Sequence, residues 1–149
     1  MRFLSSSIST LGLVVATSVA VSAAAGPIVV PASAVAFTPG TGDDAGTQVA
    51  VLAGDPSKSG PYTMRIKLPA GFAFAPHSHG NAERVTVMSG TLLVGLGPKI
   101  EPSKMKAMPA GSFAVIPAGL VHYAKARAES VLQIDGDGPA TTHMLGHKM

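Results

Sequence analysis

Cysteine is absent from the 149 residues, which excludes disulfides, thiolate metal sites, a thiol nucleophile and a lipidated N-terminal cysteine. Tryptophan is absent too. With only two tyrosines and five phenylalanines, platforms for stacking nucleobases are scarce. Charged residues make up 13% of the chain and balance at +3. The basic groups Arg65, Lys67, Lys99, Lys104, Lys106, Lys125 and Arg127 are scattered rather than gathered in a stripe, so no nucleic-acid partner is expected. Helical periodicity is missing as well. Seventeen glycines and twelve prolines point instead to short strands joined by turns.

At 149 residues one folded domain is expected. Residues 1–25 have the pattern of a signal peptide: Arg2 first, the apolar run Leu11-Gly12-Leu13-Val14-Val15-Ala16, then small residues through Ala25. Thr17, Ser18 and Ser22 interrupt the apolar run, which falls short of the ~20 residues of a membrane span. Export to the periplasm or medium is expected, with no stable membrane insertion once the segment is removed. There is no twin arginine, so the chain is expected to cross unfolded. Residues 26–46 read as an N-terminal arm or linker, and 47–149 as the domain.

Within the arm, 34–37 is a short strand candidate and 38–46 reads as loop. Further strands are expected at 48–52, 62–68, 91–96, 112–116, 121–127, 130–134 and 141–145. The clearest is 62–68, where Tyr62, Met64, Ile66 and Leu68 alternate with Thr63, Arg65 and Lys67. Residues 99–110 read as a polar connection inserted on the scaffold, with a helical turn around 102–108. Residues 135–139 read as loop. The class is all-β.

The stretch Gly71–Gly90 carries the chemistry. His77 and His79 are two apart and leave the same face of an extended strand. Gly80 and Asn81 supply a turn, since both residue types tolerate positive φ. Glu83 then opens a second strand, with Val85 and Val87 on its face. If the two strands pair as an antiparallel hairpin, Glu83 returns beside the histidines. Two imidazoles and a carboxylate suit a borderline divalent ion. By itself, a His-x-His pair beside a turn reads more readily as two surface histidines with an unrelated Glu.

A second stretch, Gly111 to His122, turns at Pro117 and Gly119. Together the two stretches resemble the motifs of the cupins. Gly71, His77, His79, Glu83 and Gly90 match the first motif at every spacing. Gly111, Pro117, Gly119 and His122 match the second, whose terminal Asn is replaced by Ala126. The loss of that Asn bears on loop packing more than on metal binding.

The resemblance implies a double-stranded β-helix, a jelly-roll barrel, around one metal. It implies His77, His79, Glu83 and His122 as ligands, with one or two coordination positions left open for a small molecule. The ion would be a divalent Fe, Mn, Zn, Ni or Cu. Affinity order favours Cu or Zn after unfolded export. The reaction is not implied, because the fold hosts many. A metal-dependent oxygenase, isomerase or lyase is the first expectation, a non-catalytic metal-dependent binding protein the second, and a scaffold with a vestigial site the third.

Residue parity places Met64, Ile66, Val85, Val87, Val94 and either Phe113 or Val115 inside. Tyr62 is the one phenol with inward parity, and Tyr123 faces away from His122. No second carboxylate, lysine or arginine stands beside the centre, so Glu83 and Tyr62 are the candidate catalytic groups beside metal-bound water. Phe72 and Phe74 face outward and suit a homodimer. His143 and His147 read as surface residues.

Overall fold

The computed structural model describes residues 26–145. Among them are eleven strands: β1 (Thr38–Pro39), β2 (Gln48–Ala53), β3 (Gly60–Leu68), β4 (Ala73–His79), β5 (Glu83–Ser89), β6 (Thr91–Leu96), β7 (Lys106–Pro109), β8 (Phe113–Ile116), β9 (His122–Ala126), β10 (Ser130–Gly138) and β11 (Thr142–Met144). They form two antiparallel sheets, ordered β1-β2-β3-β10-β5-β8 and β11-β4-β9-β6-β7. From β3 onward the chain crosses between the sheets at nearly every turn, which is the jelly-roll winding of a cupin barrel. No helix among the described residues is long and apolar enough to cross a membrane.

The alternation in β3 works as expected. Tyr62, Ile66 and Leu68 are buried in the lumen, while Thr63 donates to Asp135 on the outer face at 2.6 Å. Leu132 and Ile134 of β10, and Val85 and Val87 of β5, extend this apolar wall. Leu92, Ala124 and Ala126 close it from the other sheet. Burial of each larger aliphatic side chain contributes about 1.5–3 kcal/mol, so the lumen is the main source of stability.

Several local expectations are corrected. The 34–37 strand does not form: Ala32–Ala34 is a 3-10 turn, and pairing begins at β1, inside the expected loop. The connection 99–110 contains a 3-10 turn only at Pro102–Lys104, after which β7 pairs with β6 as part of the sheet. Tyr123, which does face away from the lumen, accepts the Glu101 N–H at 2.9 Å and anchors that connection. Strand β10 runs on through 135–138, where Asp and Gly read as loop. Gly136 lies opposite Tyr62, and a Cβ there would come within 2.7 Å of the phenol oxygen. That glycine makes room for a ring rather than a turn.

Parity failed at two places. Phe113 and Val115 are both exposed, because β8 pairs them with the outward-facing Thr86 and Arg84; Ala114 and Ile116 face the lumen. In β4 the register shifts between Phe74 and His77, so side chains three apart share a face. Phe72 and Phe74 therefore pack edge-to-face, ring centres 4.9 Å apart, against the core. They offer no outward face for a homodimer.

Candidate metal centre

His77 and His122 are direct cross-strand partners on β4 and β9, and His79 follows His77 on the same strand. The rings of His77 and His122 lie 4.2 Å apart between centres, and His79 stands 4.9 Å from His77 and 5.2 Å from His122. One donor nitrogen from each of the three falls within 4.8 Å of the others. The corner of the second motif is tied to the first by the Gly119 N–H, which donates to the His79 carbonyl at 2.9 Å. Gly119 holds φ at +74°, the left-handed region that favours glycine.

Two carbonyls orient the rings. His77 Nδ1 lies 2.6 Å from the Ala75 oxygen, and His122 Nδ1 lies 3.1 Å from that of Leu120. A carbonyl only accepts, so Nδ1 carries the proton and Nε2 keeps its lone pair. Burial lowers the pKa of all three histidines, that of His122 to about 4. They are neutral at pH 7, as metal ligation requires.

Glu83 arrives differently than expected. The β4–β5 hairpin does not pair: β4 bonds to β9 and β11, and β5 to β10 and β8. The turn between them carries the chain from one sheet to the other, so Glu83 faces the histidines across the lumen. Its Oε2 is 3.5 Å from His79 Nε2. Neither Gly80 nor Asn81 uses a positive φ. Gly80 clears Thr141, and Asn81 donates to the Asp137 carbonyl at 2.8 Å.

Burial pushes the Glu83 carboxyl up from 4.5 to about 7. The folded chain then holds a proton that the unfolded chain releases between pH 4.5 and 7. Stability is therefore lost as pH rises through that window and levels off above it. Comparing thermal melts of metal-free wild type and Glu83→Gln from pH 4 to 8 tests this effect together with the coupling of Glu83 to the neighbouring histidines. The wild type should lose stability relative to the variant between pH 4.5 and 7; parallel curves would contradict a buried acid.

The centre opens on a cavity of about 140 Å³, walled by Met64, Ile66, Phe74, Val85, Val94 and Ile134 among others. Tyr62 borders it, and burial followed by the charge of Glu83 raises its pKa, so the phenol stays protonated. The sequence reading found no second carboxylate beside the centre, and here it is corrected: Asp43 and Asp44 of the arm line the same cavity. The available signal was two adjacent acids in a chain with only eight, between Gly40 and Gly46. No lysine or arginine lines the cavity. His143 is exposed on β11, and His147 lies outside the described residues.

A jelly-roll barrel with histidines of both motifs gathered in its lumen defines a cupin fold. The chain belongs to the family described as Domain of unknown function (DUF4437), whose profile matches residues 30–141. No curated protein sequence matches it. Solved structures similar to it include an RmlC-like cupin from Shewanella frigidimarina, at 16% identity and a TM-score of 0.56 over 71% of this chain and 86% of that one. KdgF from Halomonas sp. is similar at 21% identity and TM-score 0.50, over 62% and 80% of the two chains. Salicylate 1,2-dioxygenase from Pseudoaminobacter salicylatoxidans, solved as adducts with gentisate, is similar at 17% and 0.56, over 68% and 30%. These likenesses concern the fold.

The donor set fits a metal. Three neutral imidazoles converge with lone pairs free, two of them held by backbone carbonyls, and a buried carboxyl stands beside them. Such a three-histidine group can hold a divalent ion. The donors suit Fe, Mn, Zn, Ni or Cu rather than the oxygen-seeking Mg or Ca.

Proposed function

We propose that the protein is an exported, mononuclear metal-dependent cupin enzyme acting on a small, largely apolar organic molecule by oxygenase, isomerase or lyase chemistry. The observation that carries this reading is the convergence of three neutral histidines, two buried and one half-buried, on one wall of an apolar cavity. His77, His79 and His122 would hold the ion, with Glu83 as the fourth ligand or as a proton carrier beside it. A bound divalent ion would supply Lewis acidity, or a redox couple in the case of Fe, Mn or Cu.

The chain's own groups do the rest. The aliphatic walls hold a hydrocarbon body and exclude water. Tyr62 is a proton donor at neutral pH, and Glu83 titrates near pH 7, where an acid–base group is most effective. These groups favour turnover over passive binding. Export rests on the signal pattern of residues 1–25, which lie outside the described residues.

The test is a turnover screen of metal-loaded protein, by oxygen consumption with Fe, Mn or Cu and by NMR of products with Zn or Ni. The expected activity vanishes in the double variant His77→Ala/His79→Ala. Activity unchanged in that variant, or ligands that bind and return unaltered, would overturn the enzyme reading.

A further inference from the structure

The arm between Gly40 and Thr47 is folded tightly over the cavity. Gly40 N–H donates to the Thr47 carbonyl at 3.0 Å, and Thr47 N–H donates back to that of Asp44 at 3.0 Å. The Thr47 hydroxyl, buried, donates to the same Asp44 carbonyl at 2.8 Å. Asp44 N–H donates to Thr41 at 3.1 Å, and Ala45 N–H to Gly42 at 3.1 Å. Gly40 has no space for a side chain, since a Cβ would meet the Asp44 carbonyl and come within 2.6 Å of Thr47 Oγ1.

This loop sets the half-buried Asp44 side chain at the cavity, with His77, His79 and Glu83. Among the described residues its carboxylate takes part in no hydrogen bond or ion pair. The family profile begins at residue 30, so the loop belongs to the family's common unit.

The charges in the cavity lean one way. Asp43, Asp44 and Glu83 line it, with no lysine or arginine to receive an anionic ligand. Two carboxylates offset the charge of a divalent ion, so an anion approaching the open coordination face gains little net attraction, and Asp43 at the rim opposes it. An uncharged ligand with a hydrogen-bond donor instead meets an unpaired acceptor in a low-dielectric wall, where such bonds are strong.

We propose that Asp44 sets the ligand class of this site: a small uncharged molecule carrying an O–H or N–H donor next to the oxygen that meets the metal. The inference rests on the three histidines holding an ion. Asp44 would accept the donor's hydrogen bond and orient the ligand over the open face.

Cobalt(II)-loaded full-length protein gives a direct test, because its visible bands report ligands at the metal without any need for turnover. The probes are acetohydroxamic acid and oxalate. Both close five-membered chelate rings through two oxygens, acetohydroxamic acid after releasing its hydroxyl proton. Only the first is uncharged when free and keeps an N–H donor beside its metal-binding oxygen when bound. Relative to cobalt(II) in solution, wild type should shift the preference toward acetohydroxamic acid by about tenfold, the scale of one charge-assisted hydrogen bond. Asp44→Asn, and Asp44→Ser as a second variant, should lower that ratio about tenfold with cobalt content unchanged. Gly40→Ala, which keeps the carboxylate but displaces the loop, should lower it too.

No such shift in wild type, or a ratio untouched by both Asp44 substitutions, would overturn the proposal while leaving the metal centre standing. Failure of wild type to take up cobalt, seen before any probe is added, would instead overturn the metal reading and this proposal with it.

Discussion

His122→Ala is expected to lower the affinity for a divalent ion by more than about a hundredfold while the barrel stays folded. Loss of a group that merely orients a ligand costs 10–100-fold, so loss of a ligand should exceed that range. His122 is the one histidine of the centre from the second motif, directly opposite His77. The side chain borders an existing cavity, so truncation enlarges a space already present instead of opening a new void in packed core. It also removes a buried base whose charged form burial already disfavours. The checks are competitive titration against a chromophoric chelator and thermal melts with and without metal. At a metal concentration 100 times Kd, wild type should gain about 2.7 kcal/mol, or several degrees. The variant should gain almost nothing at the same concentration. An equal shift in both proteins would remove His122 from the ligand set.

The two glycines that bound the first motif should respond very differently to alanine. Gly71 and Gly90 both hold positive φ, +83° and +77°. Alanine at either position carries the backbone cost of the left-handed region, about 1–2 kcal/mol. At Gly71 nothing lies within 4 Å of an added Cβ, so the cost stops there. At Gly90 the added carbon would collide with the Ser130 hydroxyl and the Glu129 carbonyl, and would stand 2.8 Å from Ser130 Cα. Ser130 is fully buried, and its hydroxyl also accepts the Thr91 N–H at 3.1 Å. Backbone must therefore move, and overpacking adds roughly 1–3 kcal/mol. Denaturant unfolding should rank Gly90→Ala as the more damaging variant by that margin. Equal losses would mean that the two positions matter only as turns.

What the sequence revealed best was whatever repeats locally. The period-two alternation of β3 identified its buried face, and the two motif spacings picked out three histidines that come together in space. The errors share one cause, pairing between distant strands. The register shift in β4 turned Phe74 inward, and nothing in residues 71–79 announces it, because β9 supplies the mismatch. Phe113 and Val115 were ambiguous until β5 fixed the outer face of β8. The Asp and Gly residues at the end of β10 have turn propensity, overridden there by pairing with β3 and by the space the Tyr62 ring needs. Proximity of Glu83 to the histidines was anticipated through a paired hairpin, yet it arises from a crossing between sheets. Asp44 was missed for a similar reason. Acids flanked by glycines read as solvent-facing loop, and only the fold of the arm brings them over the cavity.

Elemental analysis of the protein, purified without added metal from the compartment where it resides, tests the metal centre most directly. The expected result is about one equivalent of a single transition metal per chain, consistent with one cluster of three donor nitrogens. Iron, manganese or copper would direct the search to oxygen chemistry, and zinc or nickel to Lewis-acid chemistry. A protein that carries no metal and takes up none on titration with each of these ions would contradict the account at its base.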